Sequence, residues 1–127
     1  MLDVNDYQNF VNGLLSPATR DATAFQDRVK ELTDSGVSVQ MLLTAAVGLP
    51  GEAGEVSDLI KKVVFQGKPY TDDIRNKLID EMGDVAWYLA LACSSVGVTM
   101  EDILERNIEK LQSRYPGGFS INRSENR

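Results

Sequence analysis

At 127 residues, with 43% hydrophobic and 25% charged side chains, the chain has the length and composition of an ordinary globular protein with a packed core. It holds no histidine, which excludes Ser-His and Cys-His catalysis, histidine general bases and histidine metal ligands; its one cysteine, Cys93, excludes an internal disulfide framework and a cysteine-rich zinc site. The net charge of −6 argues against broad nucleic-acid binding, which needs a basic face.

The opening MLDVNDYQNF lacks the basic stretch of a signal peptide, and no apolar run approaches the roughly 20 residues that span a bilayer. The expectation is a cytoplasmic protein, of a bacterial cell or a phage-infected host, with neither membrane nor nucleic acid as partner.

In chain order, the pattern predicts a first helix from Asp3 to Leu15, stopped by Ser16-Pro17. A second runs from Thr19 to Thr33 and ends near Gly36, with Ala22, Phe25, Val29 and Leu32 as its apolar stripe. Ser38 stands where it can cap a third, long helix from Val39 to about Gln66, in which Pro50 predicts a kink or break around Gly48–Gly51. Gly67-Lys68-Pro69 makes a turn. A fourth helix starts at Thr71 or Asp72 and reaches Val96, with the stripe Ile74, Leu78, Met82, Val85, Leu89 and Val96; Gly97 stops it. Thr99 with Asp102 forms a capping pair for a last helix through Tyr115, ended by Pro116-Gly117-Gly118. The expected fold is all-α, a bundle of four to five helices in one domain over 1–119, with 120–127 as a loose polar tail.

Two of these helices repeat one pattern: EAGEV at 52–56 and EMGDV at 81–85. Residues three apart share a helix face, so Glu52 points with Glu55, and Glu81 with Asp84. Surface pairs of this kind are common and mean nothing alone. Here, however, the acids interrupt apolar stripes: Val56 follows Glu52 by four, Leu59 follows Glu55 by four, and Glu81 sits between Leu78 and Val85. Carboxylates in apolar settings are costly unless a cation joins them, and each glycine inside the motif costs its helix roughly 1 kcal/mol. A divalent cation between two antiparallel helices resolves the conflict, with Gly54 and Gly83 allowing a close approach. Oxygen ligands suit Mg²⁺ or Mn²⁺. Asp58 and Asp80 are nearby acids read as bystanders, Asp58 with the option of an auxiliary ligand.

Glu52, Glu55, Glu81 and Asp84 also write E-x-x-E, 25 residues, then E-x-x-D, flanked by GLPGEAGEVSDLIKK, DEMGDVAWYLA and NIEKLQSRYPGGF. Over residues 39–119 the chain thereby resembles the MazG-like nucleoside triphosphate pyrophosphohydrolases. The resemblance implies an all-α fold and hydrolysis of a nucleoside triphosphate between the α- and β-phosphates, with Mg²⁺ or Mn²⁺ on the four acids. It also implies assembly as a homodimer or homotetramer. By position it makes Asn107, Lys110 and Arg114 phosphate contacts and Tyr88 a nucleotide contact. Pro50 is a departure, since many relatives keep an uninterrupted helix there.

The residues themselves are compatible with these roles. Asn107, Lys110 and Arg114 fall at i, i+3 and i+7, on one helix face, and supply point-charge and forked donors. Lys62, seven after Glu55, shares its face and is a further phosphate candidate. Glu52 or Glu55 is the candidate general base, since in-line attack by water needs charge neutralisation and a proton acceptor. A deoxynucleoside triphosphate is the favoured substrate, for nucleotide-pool control or house-cleaning. The alternatives are a phosphohydrolase releasing single phosphates and a non-catalytic helical module that binds metal or nucleotide.

Overall fold

The computed structural model describes Met1 and residues 3–125, and every element among them is helical apart from an isolated bridge between Pro116 and Gly118. The helices are α1 (Val4–Gly13), α2 (Pro17–Arg20), α3 (Ala22–Asp34), α4 (Val39–Val64), α5 (Asp72–Ser95), α6 (Met100–Arg114) and α7 (Ile121–Glu125). Five are long, as the bundle reading requires; α2 and α7 are short additions. Among the described residues no single helix is long and apolar enough to cross a membrane.

Local chemistry accounts for most boundaries. Asp3, Ser16, Asp21, Thr71 and Thr99 each accept a hydrogen bond from a backbone N–H in the first turn of the helix they open. At α6 the arrangement is reciprocal, because Asp102 also accepts from the Thr99 N–H at 2.8 Å. Gly36, Gly67 and Gly97 follow helix ends at positive φ. Asp21 divides the single helix expected over 19–33 into α2 and α3: it leaves the helix in an extended conformation and caps the next one. Ser38 stands before α4, but its buried Oγ has no hydrogen-bond partner, so the expected cap is not made.

The chain forms two compact units, Met1–Val39 and Gln40–Arg127. In the first, α2 packs on α3, and Arg20 Nη2 donates to the Asn12 carbonyl at 2.8 Å, satisfying part of the last turn of α1. The α3 stripe is not a sealed core: Phe25 is exposed and none of its residues is buried.

The second unit carries the repeated acids. Leu59, Ile60, Val63 and Val64 of α4 line an apolar groove with Tyr70, Ile74 and Leu78. At the opposite end of the pair Gly48 of α4 meets the ring of Tyr88 on α5. Late residues of α4 thus meet early residues of α5, and the two helices are antiparallel. Of the kink or break expected at Pro50, the break does not occur; α4 runs as one helix from Val39 to Val64 with Pro50 inside it. Proline removes the N–H that would bond to the carbonyl four residues earlier and crowds that carbonyl with its ring, a local cost that the long flanking segments tolerate. α6 packs back against α5, with the Cys93 thiol 3.8 Å from the Met100 sulfur.

The residues 121–125, expected to be loose, form α7; residues 126–127 lie outside the described residues.

Gly48 is the glycine that packing requires. A Cβ there would overlap the Tyr88 ring, and overpacking of this kind costs about 1–3 kcal/mol, against roughly 1 kcal/mol of helix propensity gained. Gly48→Ala is therefore expected to lower the melting temperature and displace Tyr88, measurable by calorimetry and by the fluorescence of Trp87, whose ring stands edge-on to Tyr88 at 4.9 Å.

Candidate metal and phosphate site

On α4 the acids of EAGEV stand midway along 26 residues, and on α5 those of EMGDV stand midway along 24. Antiparallel packing brings the two midpoints together. Glu52, Glu81 and Asp84 each place a carboxylate oxygen within 4.8 Å of the others. Glu52 and Glu81 are half-buried and Asp84 is exposed, so the cluster opens to solvent on the Asp84 side.

Glu81 carries the strain of this arrangement. Burial raises its pKa first, followed by the hydrogen bond with Glu52 and by the negative charges of Glu52, Asp84 and Glu55. Three hard oxygen donors crowded against one another, one of them reluctant to ionise, fit a divalent cation of the Mg²⁺ or Mn²⁺ type.

Glu55, the fourth predicted acid, lies outside the close cluster and is exposed. Its charge still reaches Glu81 and Lys62. Gly54 and Gly83 have open space where a Cβ would stand, so the packing of this chain does not demand glycine at either position.

Lys62 is not presented freely to the acids. Its Nζ is 2.5 Å from Asp58 Oδ2, while Lys61 holds Oδ1 at 3.0 Å. The two lysines, Lys62 first, bring the Asp58 carboxyl down to about 2, and the same bond raises Lys62. Asp58 thus serves as a clamp for two cations and stands outside the acidic cluster. Sequence spacing alone contained that signal, since both lysines fall three and four residues after Asp58.

Tyr88 is half-buried against Gly48 and Trp87, four residues beyond Asp84. On α6, Asn107 and Lys110 line one shallow groove with Ile103 and Arg106. Arg114 lines a separate depression with Ser113, Asn122 and Arg123. Arg106 and Arg123 were missed in the sequence; Arg106 is adjacent to Asn107 and four residues before Lys110, a spacing that places it on the same face.

Residues 40–119 match the MazG nucleotide pyrophosphohydrolase domain. The chain is also similar to the Gene 37 protein of Mycobacterium phage L5, at 35% identity over 91 residues, which is 71% of this chain and 80% of that protein. No solved structure matches.

The raised Glu81 pKa fixes a sign. A carboxyl that holds its proton longer in the folded than in the unfolded chain makes stability fall as pH climbs above its ordinary value of 4.5. Glu81→Gln removes the charge. Without metal at neutral pH this variant is expected to melt a few degrees higher than the unsubstituted chain, the gap closing in acid. It is also expected to lose most of the thermal shift produced by Mn²⁺, as read by calorimetry with and without chelator.

Proposed function

The chain belongs to the MazG nucleotide pyrophosphohydrolase family, and from that premise we propose that it hydrolyses a nucleoside triphosphate, with a deoxynucleotide preferred, to the monophosphate and pyrophosphate. The observation that carries the proposal is the convergence of Glu52, Glu81 and Asp84 from two helices onto one point. These three residues would hold Mg²⁺ or Mn²⁺, with Glu55 at the margin. The cation supplies charge neutralisation at the phosphates and a more acidic water.

Within this reading each residue has a separable task. Glu55 is exposed and outside the close cluster, which suits a carboxylate that orients the attacking water and takes its proton. Glu52, inside the cluster, serves as a ligand rather than as the base. Asn107, Lys110 and Arg114 fall on one face of α6 and bind phosphate oxygens, with lysine and arginine steadying the departing pyrophosphate. Tyr88, set by Gly48 and Trp87, contacts the nucleoside. Lys62 reaches a phosphate only by leaving Asp58. Nucleotide-pool control or house-cleaning is the cellular role such an activity serves.

Self-association as a homodimer or homotetramer belongs to the same proposal. Leu104, Ile108 and Leu111 form a stripe at i, i+4 and i+7 along α6 and are 55%, 55% and 41% exposed. Trp87 is 60% exposed. A second copy of the chain would cover such surface.

The test is product analysis with a panel of ribo- and deoxynucleoside triphosphates in Mg²⁺ and in Mn²⁺. Pyrophosphate is the expected product, and Glu55→Gln and Glu81→Gln are each expected to lower turnover by at least about 100-fold. Orthophosphate as the product would assign the chain to single-phosphate hydrolysis, metal binding without turnover would make it a binding module, and unsubstituted rates in either variant would remove the mechanism.

A further inference from the structure

We propose that Arg123 of α7 joins Arg114 of α6 in a two-arginine phosphate site that takes the pyrophosphate end of the substrate. The proposal rests on the triphosphate reading above and extends it to a segment outside the helices of that reading.

The site is built by the turn YPGGF at 115–119. Pro116 follows directly on the last turn of α6, where the helix cannot continue. Gly118 adopts φ +97°, in the left-handed region that disfavours side chains, and its N–H donates to the Tyr115 carbonyl at 3.0 Å. The rings of Tyr115 and Phe119 stand 5.6 Å apart across the turn. The chain is thereby reversed, and α7 returns to the end of α6, where Arg123 Nη1 donates to the Arg114 carbonyl at 3.0 Å. Ser113, Arg114, Asn122 and Arg123 then line one surface depression.

The electrostatics of this depression mirror those of the acidic cluster. Two guanidinium-bearing residues line it, and among the described residues no carboxylate does. Among the described residues neither Arg114 nor Arg123 is ion-paired with an acid, although the chain carries 19 Asp and Glu against 13 Lys and Arg. Two cations that line one depression favour an anion there. Guanidinium forks and a hydroxyl form a donor set suited to phosphate oxygens. Asn107 and Arg114 are separated by about 10 Å of helix, and Arg123 adds a donor beyond the end of that row. That position suits the terminal phosphates.

Arg123 also has a structural task, because its hydrogen bond satisfies a carbonyl in the last turn of α6, where cations are favoured. The two roles separate by substitution. Arg123→Gln keeps a side-chain N–H for the Arg114 carbonyl and removes the charge, whereas Arg123→Ala removes both. Inorganic pyrophosphate is titrated calorimetrically into each protein with Mg²⁺ present, KM and kcat are measured for a hydrolysed triphosphate, and thermal melts check folding. Arg123→Gln is expected to weaken pyrophosphate binding and to raise KM by about tenfold each, with kcat changed far less. Pyrophosphate binding equal to that of the unsubstituted chain would overturn the proposal and leave Arg123 a helix cap, as would a defect confined to Arg123→Ala. If no triphosphate is hydrolysed, the enzymatic reading fails, and the pyrophosphate titration still decides whether the arginine pair binds phosphate.

Discussion

Mutual repulsion of the carboxylates on α4 and α5 is the constraint to which the rest of the second unit is fitted. Glu52, Glu81 and Asp84 meet within 4.8 Å, and Glu81 is pushed towards its protonated form by burial and by its neighbours. Left to themselves, two helices bearing these acids would separate. They are held by contacts on either side of the cluster: an apolar row of Leu59, Val63, Ile74 and Leu78 at one end, and the ring of Tyr88 seated on Gly48 at the other. The acids are therefore imposed on each other by packing that does not involve them. Repulsion of this kind is met during folding, and a cation of the proposed type would relieve it on binding.

The flanking charges follow from the same constraint. Basic residues close to an acidic cluster would neutralise it internally and compete with a cation. Asp58, one turn beyond Glu55, restrains Lys61 and Lys62 by taking both ammonium groups on its two oxygens. As exposed i, i+3 and i, i+4 pairs, these contribute little to stability. Their importance is positional, because they keep the nearest lysines engaged on the flank of the helix. Among the described residues Arg106, Lys110 and Arg114 of α6 have no such ion pair.

What could be read in the sequence divides along the range of the interactions involved. The capping pair Thr99 and Asp102 and the helix starts near Asp3 and Thr71 depend on residues within one turn, and there the sequence reading and the structure agree. The pairing of Glu52 with Glu81 and Asp84 was legible for a related reason: a repeated motif in two helices joined by a short connection leaves few ways for them to meet. Features set by tertiary contact were not legible. Gly54 and Gly83 drew attention because they lie inside the motif, yet the glycine that a neighbouring side chain requires is Gly48, whose partner Tyr88 is 40 residues away. Pro50 signalled a kink or break by local rules, and α4 continues through it as one helix. The polar composition of 120–127 gave no hint of α7, which returns to α6 through the turn before it and the Arg123 hydrogen bond.

The helix α6 joins the chemistry to the proposed assembly. Its residues Ile103, Arg106, Asn107 and Lys110 line one groove, while Leu104, Ile108 and Leu111 form an exposed stripe on the adjacent face. At 100° per residue the centres of these two faces are about a quarter to a third of a turn apart. A helix so divided can offer phosphate donors on one side and an apolar seam to a second copy on the other without either face compromising the other. Because both faces belong to one rigid element, burying the seam would also fix the direction of the donors. Self-association in this arrangement is then a means of orienting the basic face as well as a cover for apolar surface. Rigidity of that kind would allow a few exposed side chains to act as the proposed phosphate site in a chain whose net charge is −6.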